Sequence, residues 1–247
     1  MSDRATVTLV AVVMVFALVT TSPWKGVSFV EAILPSNTST ADVVAPATAP
    51  TDAQQEVAED FETLVRMLRL SDPSMREHAA TALGRLGDPR AVQHLSDAAI
   101  NDTVAAVREH ACSALGALGD ARAVPALVRV LQTDPDARVR EHAAVAIGYL
   151  RDPAAFEVLL QTMLGSDVEE VRAHAAFALG LLGDSRALGP LMQALQSERA
   201  VMRSNAAQGL GELGDARALG VLRQAEDDAN DQVRAQVREA IRKIQTR

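Results

Sequence analysis

With 247 residues, 48% hydrophobic but only 3% aromatic, the chain has the make-up of tightly packed small-residue helices rather than of one aromatic-filled core. A net charge of −8 argues against a phosphate-tracking groove, which needs clustered Lys and Arg, and so against a nucleic-acid partner. A single cysteine, Cys112, excludes an intramolecular disulfide.

Residues 1–34 carry an addressing signal. Ala5 to Val19, ATVTLVAVVMVFALV, is an uncharged run behind Arg4. With Thr20 and Thr21 it reaches the lower length that crosses a bilayer, and Trp24 and Lys25 suit the far interface, so it reads as one N-terminal membrane helix. The alternative is a cleaved signal peptide with its small-residue site at Val30-Glu31-Ala32. Either reading places the remainder outside the cytoplasm, membrane-anchored at the cell envelope or secreted. Residues 35–55, PSNTSTADVVAPATAPTDAQQ, lack large apolar side chains and read as a disordered linker.

A folded domain is expected over residues 56–247. Val57, Phe61, Leu64 and Leu68 mark an opening helix with acidic Glu56, Glu59 and Asp60 outside it. A tandem repeat follows. His78, His110, His142 and His174 stand 32 residues apart, within copies of Arg76-Glu77-His78-Ala79-Ala80-Thr81-Ala82-Leu83-Gly84 that restart at Arg108, Arg140, Arg172, Arg203 and, degraded, at Arg234. Between copies lies a second phrase, as in Leu118-Gly119-Asp120-Ala121-Arg122-Ala123. Two phrases per unit predict two helices per unit.

In the second copy Val107, Ala111, Ala114 and Leu118 form one apolar stripe at helical spacing. Val124, Leu127, Val128 and Leu131 form another after Asp120, a predicted N-cap. Pro89 and Pro153 stand where a first helical residue is expected. Gly87, Gly119, Gly183 and Gly214 suit left-handed helix ends, and Arg151 replaces glycine in the third unit at a predicted cost in strain. Gly84, Gly116, Gly148, Gly180 and Gly211 lie inside helices, where glycine costs about 1 kcal/mol against alanine. Their shared register predicts close approach of a neighbouring helix. Cys112 replaces an alanine and is expected to be buried. Arg108 and Asp120, with their equivalents, are expected to pair as structural ladders. At the finish, Val233, Val237, Ile241 and Ile244 are expected to face inward, with Arg234, Arg238, Arg242 and Lys243 in water.

The phrases Arg-x-x-Ala-Ala-x-Ala-Leu-Gly and Leu-Gly-Asp-x-Arg-Ala resemble HEAT repeats of the phycobilisome-lyase type, from about Val57 to the C-terminus. The resemblance implies an all-α, right-handed α-solenoid of about six helix pairs. It does not imply one activity, because such repeats serve scaffolds, bilin lyases and the metal-dependent di-iron enzyme deoxyhypusine hydroxylase alike.

The hydroxylase resemblance implies His-Glu ligand pairs, whereas this chain has the reversed order Glu77-His78, Glu109-His110 and Glu141-His142, and Ala173-His174 lacks the glutamate. Reversal turns each side chain by about 100° on a helix. His78, His110, His142 and His174, continued by Asn205 and Gln236, therefore read as a polar row between repeats, with metal ligation the alternative and no cofactor expected. Positions one, five and nine after each arginine are expected to line the concave face. There Val145, Tyr149, Phe177 and Leu181 predict an exposed apolar patch with Glu109 and Glu141 on its rim, a docking surface for a protein partner. The functional expectation is a non-catalytic, membrane-tethered or exported interaction scaffold; the alternative is a metal-dependent oxidoreductase or bilin-lyase-like enzyme.

Overall fold

A computed structural model describes residues 61–247. The apolar run, the linker and the start of the opening helix fall outside the described residues. Within them lie twelve helices and no strand: α1 (residues 61–67), α2 (Pro73–Leu86), α3 (Ala91–Asn101), α4 (Ala105–Leu118), α5 (Val124–Thr133), α6 (Ala137–Leu150), α7 (Phe156–Gly165), α8 (Glu169–Leu182), α9 (Leu188–Ala194), α10 (Ala200–Leu213), α11 (Leu219–Gln224) and α12 (Asp231–Gln245). They make six antiparallel pairs, an all-α solenoid in which odd-numbered helices open each pair and even-numbered helices close it.

Local chemistry sets the turns. Asp120, Asp152, Asp184 and Asp215 each accept a hydrogen bond from the N–H two residues on. They cap a single turn of 3-10 helix that leads into α5, α7, α9 or α11, so the predicted caps sit one turn earlier than the α-helices themselves. Where arginine follows, as at Arg122, its guanidinium folds back on the same aspartate at 2.6 Å. Each even helix from α2 to α10 ends on a left-handed residue. Gly87, Gly119, Gly183 and Gly214 have φ of 67° to 77°, and Arg151 has φ of 52°, the only non-glycine residue with positive φ among those described. A side chain there meets its own backbone, which is the predicted strain.

The even helices pack flank to flank along the whole stack, and the interior glycines explain how. A Cβ on Gly84 would stand 2.8 Å from the Cβ of Ala114; on Gly116, 3.0 Å from the Cα of Ala146; on Gly148, 2.8 Å from the carbonyl oxygen of Ala178. Between α8 and α10 glycine faces glycine, and a Cβ on Gly180 would fall 2.1 Å from the carbonyl oxygen of Gly209. Side chains are thus excluded wherever one helix crosses the next. Contact between successive odd helices is far sparser. The layer with the closer neighbours traces the shorter arc, so the even helices line the concave side.

Between the layers runs a continuous apolar core. Leu83, Leu115, Ile147, Leu179 and Leu210 from the even helices meet Leu95, Leu127, Leu159, Leu191 and Leu222 from the odd ones, all fully buried. Cys112 belongs to this core, and burial pushes its thiol up to about 12. At the C-terminal end α12 closes the stack with Val233, Val237, Ala240 and Ile244 buried. Ile241 is only half-buried, and Lys243 is drawn out of bulk water into an ion pair with Glu212 at 2.6 Å.

Candidate functional site

Three of the six repeat arginines, Arg76, Arg108 and Arg203, fasten one unit firmly to the next, but the partner is not the expected one. Arg108 and Asp120 stand near opposite ends of α4, about 18 Å apart along the axis at 1.5 Å per residue. Arg108 instead reaches Asp134, in the turn between α5 and α6, through Nε at 2.6 Å and Nη2 at 2.8 Å. Arg76 grips Asp102 and Arg203 grips Asp228 in the same two-point fashion. The third nitrogen, Nη1, donates to the carbonyl oxygen six residues earlier, at Leu70, Asp102, Asp134, Ser166, Ser197 and Asp228 in turn. One guanidinium therefore ties its own interhelix turn to that of the next unit. The Arg108–Asp134 pair is 9% and 5% exposed, so loss of either partner would strand a buried charge. The missed signal was an aspartate 25 or 26 residues after each of these arginines.

On the concave side two members of the histidine row, His142 and His174, form contacts between repeats. His142 Nε2 donates to Glu109 Oε1 at 3.0 Å, and Nδ1 lies 2.8 Å from Ser113 Oγ. A carboxylate can only accept, so the neutral ring carries its proton on Nε2 and accepts from the serine at Nδ1. Burial lowers the pKa of His142 while Glu109 opposes that shift, which keeps the ring neutral. His110 and His174 are the other tautomer, with Nδ1 donating to the carbonyl oxygens of Ala106 and Glu170 at 2.8 Å. His174 also lies 3.6 Å from Glu141. Burial raises the pKa of Glu141, and the nearby His174 works against it. His78 is exposed on α2. Among the described residues no three of His, Cys, Asp and Glu converge as a possible metal site.

Ser113, His142 and Glu109 form a serine–histidine–carboxylate chain, which the sequence reading did not foresee. All three stand inside helices, where the neighbouring backbone N–H groups are committed to the helix ladder. An acyl-transfer centre needs free donors for a developing oxyanion, and the helix interior supplies none. The chain acts as a polar clasp between α4 and α6.

The predicted apolar patch is only half present. Val145 and Tyr149 on α6 are half-exposed, but Phe177 is 9% exposed and Leu181 4%, against the expectation that both face a partner. The difference lies at the crossing with α10, where Gly180 faces Gly209: a Cβ on Gly180 would fall 2.1 Å from the neighbouring backbone, against 3.0 and 2.8 Å at the two crossings that flank α6, so α10 crowds α8 as no helix crowds α6. Its concave stripe, including Ala173, closes over. The expected rim glutamates are engaged too, Glu109 with His142 and Arg138 and Glu141 with His174. What stays accessible ahead of α8 is the concave surface of α2, α4 and α6, from Glu77, Thr81 and Arg85 through Ser113 and Ala117 to Val145 and Tyr149; beyond α8, Gln208 and Glu212 on α10 are half-exposed.

HEAT repeats, as a family, match residues 51–111, 97–169 and 157–242, which takes in every helix described. The chain belongs to the HEAT-repeat family. No curated protein matches it. Among solved structures the HEAT repeats are similar to human deoxyhypusine hydroxylase in complex with glycerol, at 20% identity over 79% of this chain and 99% of that one, TM-score 0.46. The complex of CpcE and CpcF of phycocyanin lyase from Nostoc sp. PCC7120 is similar at 23% identity over 85% and 100%, TM-score 0.44. A designed armadillo repeat protein in complex with the peptide (KR)4 is similar at 19% identity over 74% and 99%, TM-score 0.49.

Proposed function

We propose that this HEAT-repeat chain is a non-catalytic scaffold that binds a protein partner at the cell envelope, tethered by residues 1–34 through the linker 35–55 or released after cleavage, with the repeats outside the cytoplasm. The observation that carries the binding reading is the division of the concave layer: α8 is sealed by packing, whereas α2, α4 and α6 leave half-exposed side chains on a continuous curved surface. Curved faces of stacked repeats are where such folds take ligands. The apolar patch centred on Val145 and Tyr149, edged by Ser113 and Ala117, is the anchoring part of that surface, since aromatic groups ringed by polar ones contribute most to interfaces. The tether reading rests on the uncharged run from Ala5 to Val19.

Affinity capture from solubilised envelope membranes tests both parts. The wild-type chain should fractionate with membranes or the exported fraction and co-purify a protein that a Val145→Ser, Tyr149→Ala double variant loses while keeping its helical circular dichroism. Undiminished capture by the variant counts against the surface, and a purely cytosolic chain counts against the tether.

A further inference from the structure

Two consecutive arginine rungs lack their aspartate. The turn position that holds Asp102, Asp134 and Asp228 is occupied in the intervening repeats by Ser166 and Ser197. Register is unambiguous, because all five side chains accept from the backbone N–H two residues on. A hydroxymethyl group is too short to reach the preceding arginine as a carboxylate does. Arg140 is left with one long carboxylate contact, Nη2 to Asp167 at 3.5 Å, and the Asp167 side chain is 88% exposed. Arg172 has no carboxylate within ion-pair distance among the described residues, and its Nη1 rests on the Ser166 carbonyl at 2.7 Å.

Arg140 is nonetheless held as its counterparts are. Its side chain is 14% exposed, and Nη1 donates to the Asp134 carbonyl at 2.8 Å, which leaves Nε without a hydrogen bond among the described residues and Nη2 with only the long contact to Asp167. Beside it lies an open cleft of about 510 Å³, bordered by Gln161, Thr162, Ser166 and the apolar side chains of Leu131 and Val158. The equivalent cleft one repeat earlier, where Asp134 fills the rung, is about 200 Å³. A guanidinium that never loses its charge, largely buried and without a close anion, favours one from outside.

We infer that the Arg140–Ser166 rung is a carboxylate-binding site. An external carboxylate occupies the position that the Asp134 carboxylate holds against Arg108, accepting from Nε and Nη2 of Arg140 and displacing the distant Asp167. Asp134 and Asp167 flank the site, so a singly charged planar carboxylate fits it better than a doubly charged phosphate. The site lies at the turns joining odd to even helices, away from the concave surface, and stands or falls independently of the function proposed above.

The test follows the Arg140 Nε–H resonance, together with the backbone amide resonance of Asp167, which is readable in every variant, in the full-length chain during titration with acetate, with a triglutamate peptide and with inorganic phosphate. Saturable shifts with the carboxylates are expected. They should vanish in Ser166→Asp, whose own carboxylate fills the rung and raises Tm, and weaken at least tenfold in Arg140→Lys, which keeps the charge but loses the two-point geometry. Peptide binding at least tenfold tighter than acetate identifies an acidic polypeptide as the ligand; comparable binding identifies a small carboxylate; both support the site. No saturable shift, shifts that survive in a folded Ser166→Asp or Arg140→Lys chain, or tighter binding of phosphate overturns it.

Discussion

At the residue scale the chain carries one visible cost. Arg151 ends α6 in the left-handed conformation that glycine fills in four other repeats, and its side chain lies on the surface with no packing role. Arg151→Gly should stabilise the fold by about 1 kcal/mol, a rise in Tm of about 2 to 4 °C for a domain of this size. Thermal denaturation decides it: an unchanged or lowered Tm would mean that Arg151 makes a compensating contact. Helix ends of this kind were legible in the sequence because they depend on one residue's own backbone preference. Ion-pair partners were not. The Arg108–Asp134 pairing depends on where the next unit lands in space, and the nearer aspartate at position 120 was the natural but wrong choice.

At the element scale, the spacing between even helices is set by absent side chains. Gly180→Ala should cost about 3 kcal/mol, because its Cβ would collide with the Gly209 backbone and neither helix can retreat without opening the core. Gly220→Ala, in α11 with nothing within 4 Å of the added carbon, should be neutral or slightly stabilising. Urea denaturation of the two variants checks the contrast, and equal effects would show that α8 and α10 have slack between them. That glycine register was readable in advance and gave the correct packing. Its further consequence was not read: where glycine faces glycine, the α8–α10 crossing is tighter than those that flank α6 and closes the surface over it, which is why Phe177 and Leu181 are buried while Tyr149, one helix away, stays half-exposed.

For the whole molecule, stability against pH follows from a few titrating groups. Burial holds His142 neutral, so as pH falls below about 6.5 the unfolded chain takes up a proton before the folded one does, and stability declines. Asp102 and Asp228 add a second loss below the ordinary carboxylate range. Burial works against ionisation of Asp102, yet the hydrogen bonds from Arg76 bring its pKa down; Arg203 does the same for Asp228, and protonation breaks both rungs. Glu141, raised by burial, acts in the opposite sense, favouring the folded state below its shifted pKa. Chemical denaturation at a series of pH values should show stability falling from pH 7 to 5 in the wild type and a flatter profile in His142→Asn. Parallel profiles would mean that folding leaves the proton affinity of the ring unchanged.

The arginine rungs also bear on how such a chain lengthens or shortens. Because Arg76 meets Asp102 and Arg108 meets Asp134 in the same way, a block of 32 residues cut at one arginine and spliced in at the next would offer its neighbours the contacts they already recognise, and receive the same in return. Gene-level duplication or loss of one block between α2 and α6 thus alters the reach of the molecule without writing a new junction. From Arg140 to Ser197 the junctions are no longer interchangeable, and a block inserted there would import an aspartate where the chain keeps a serine.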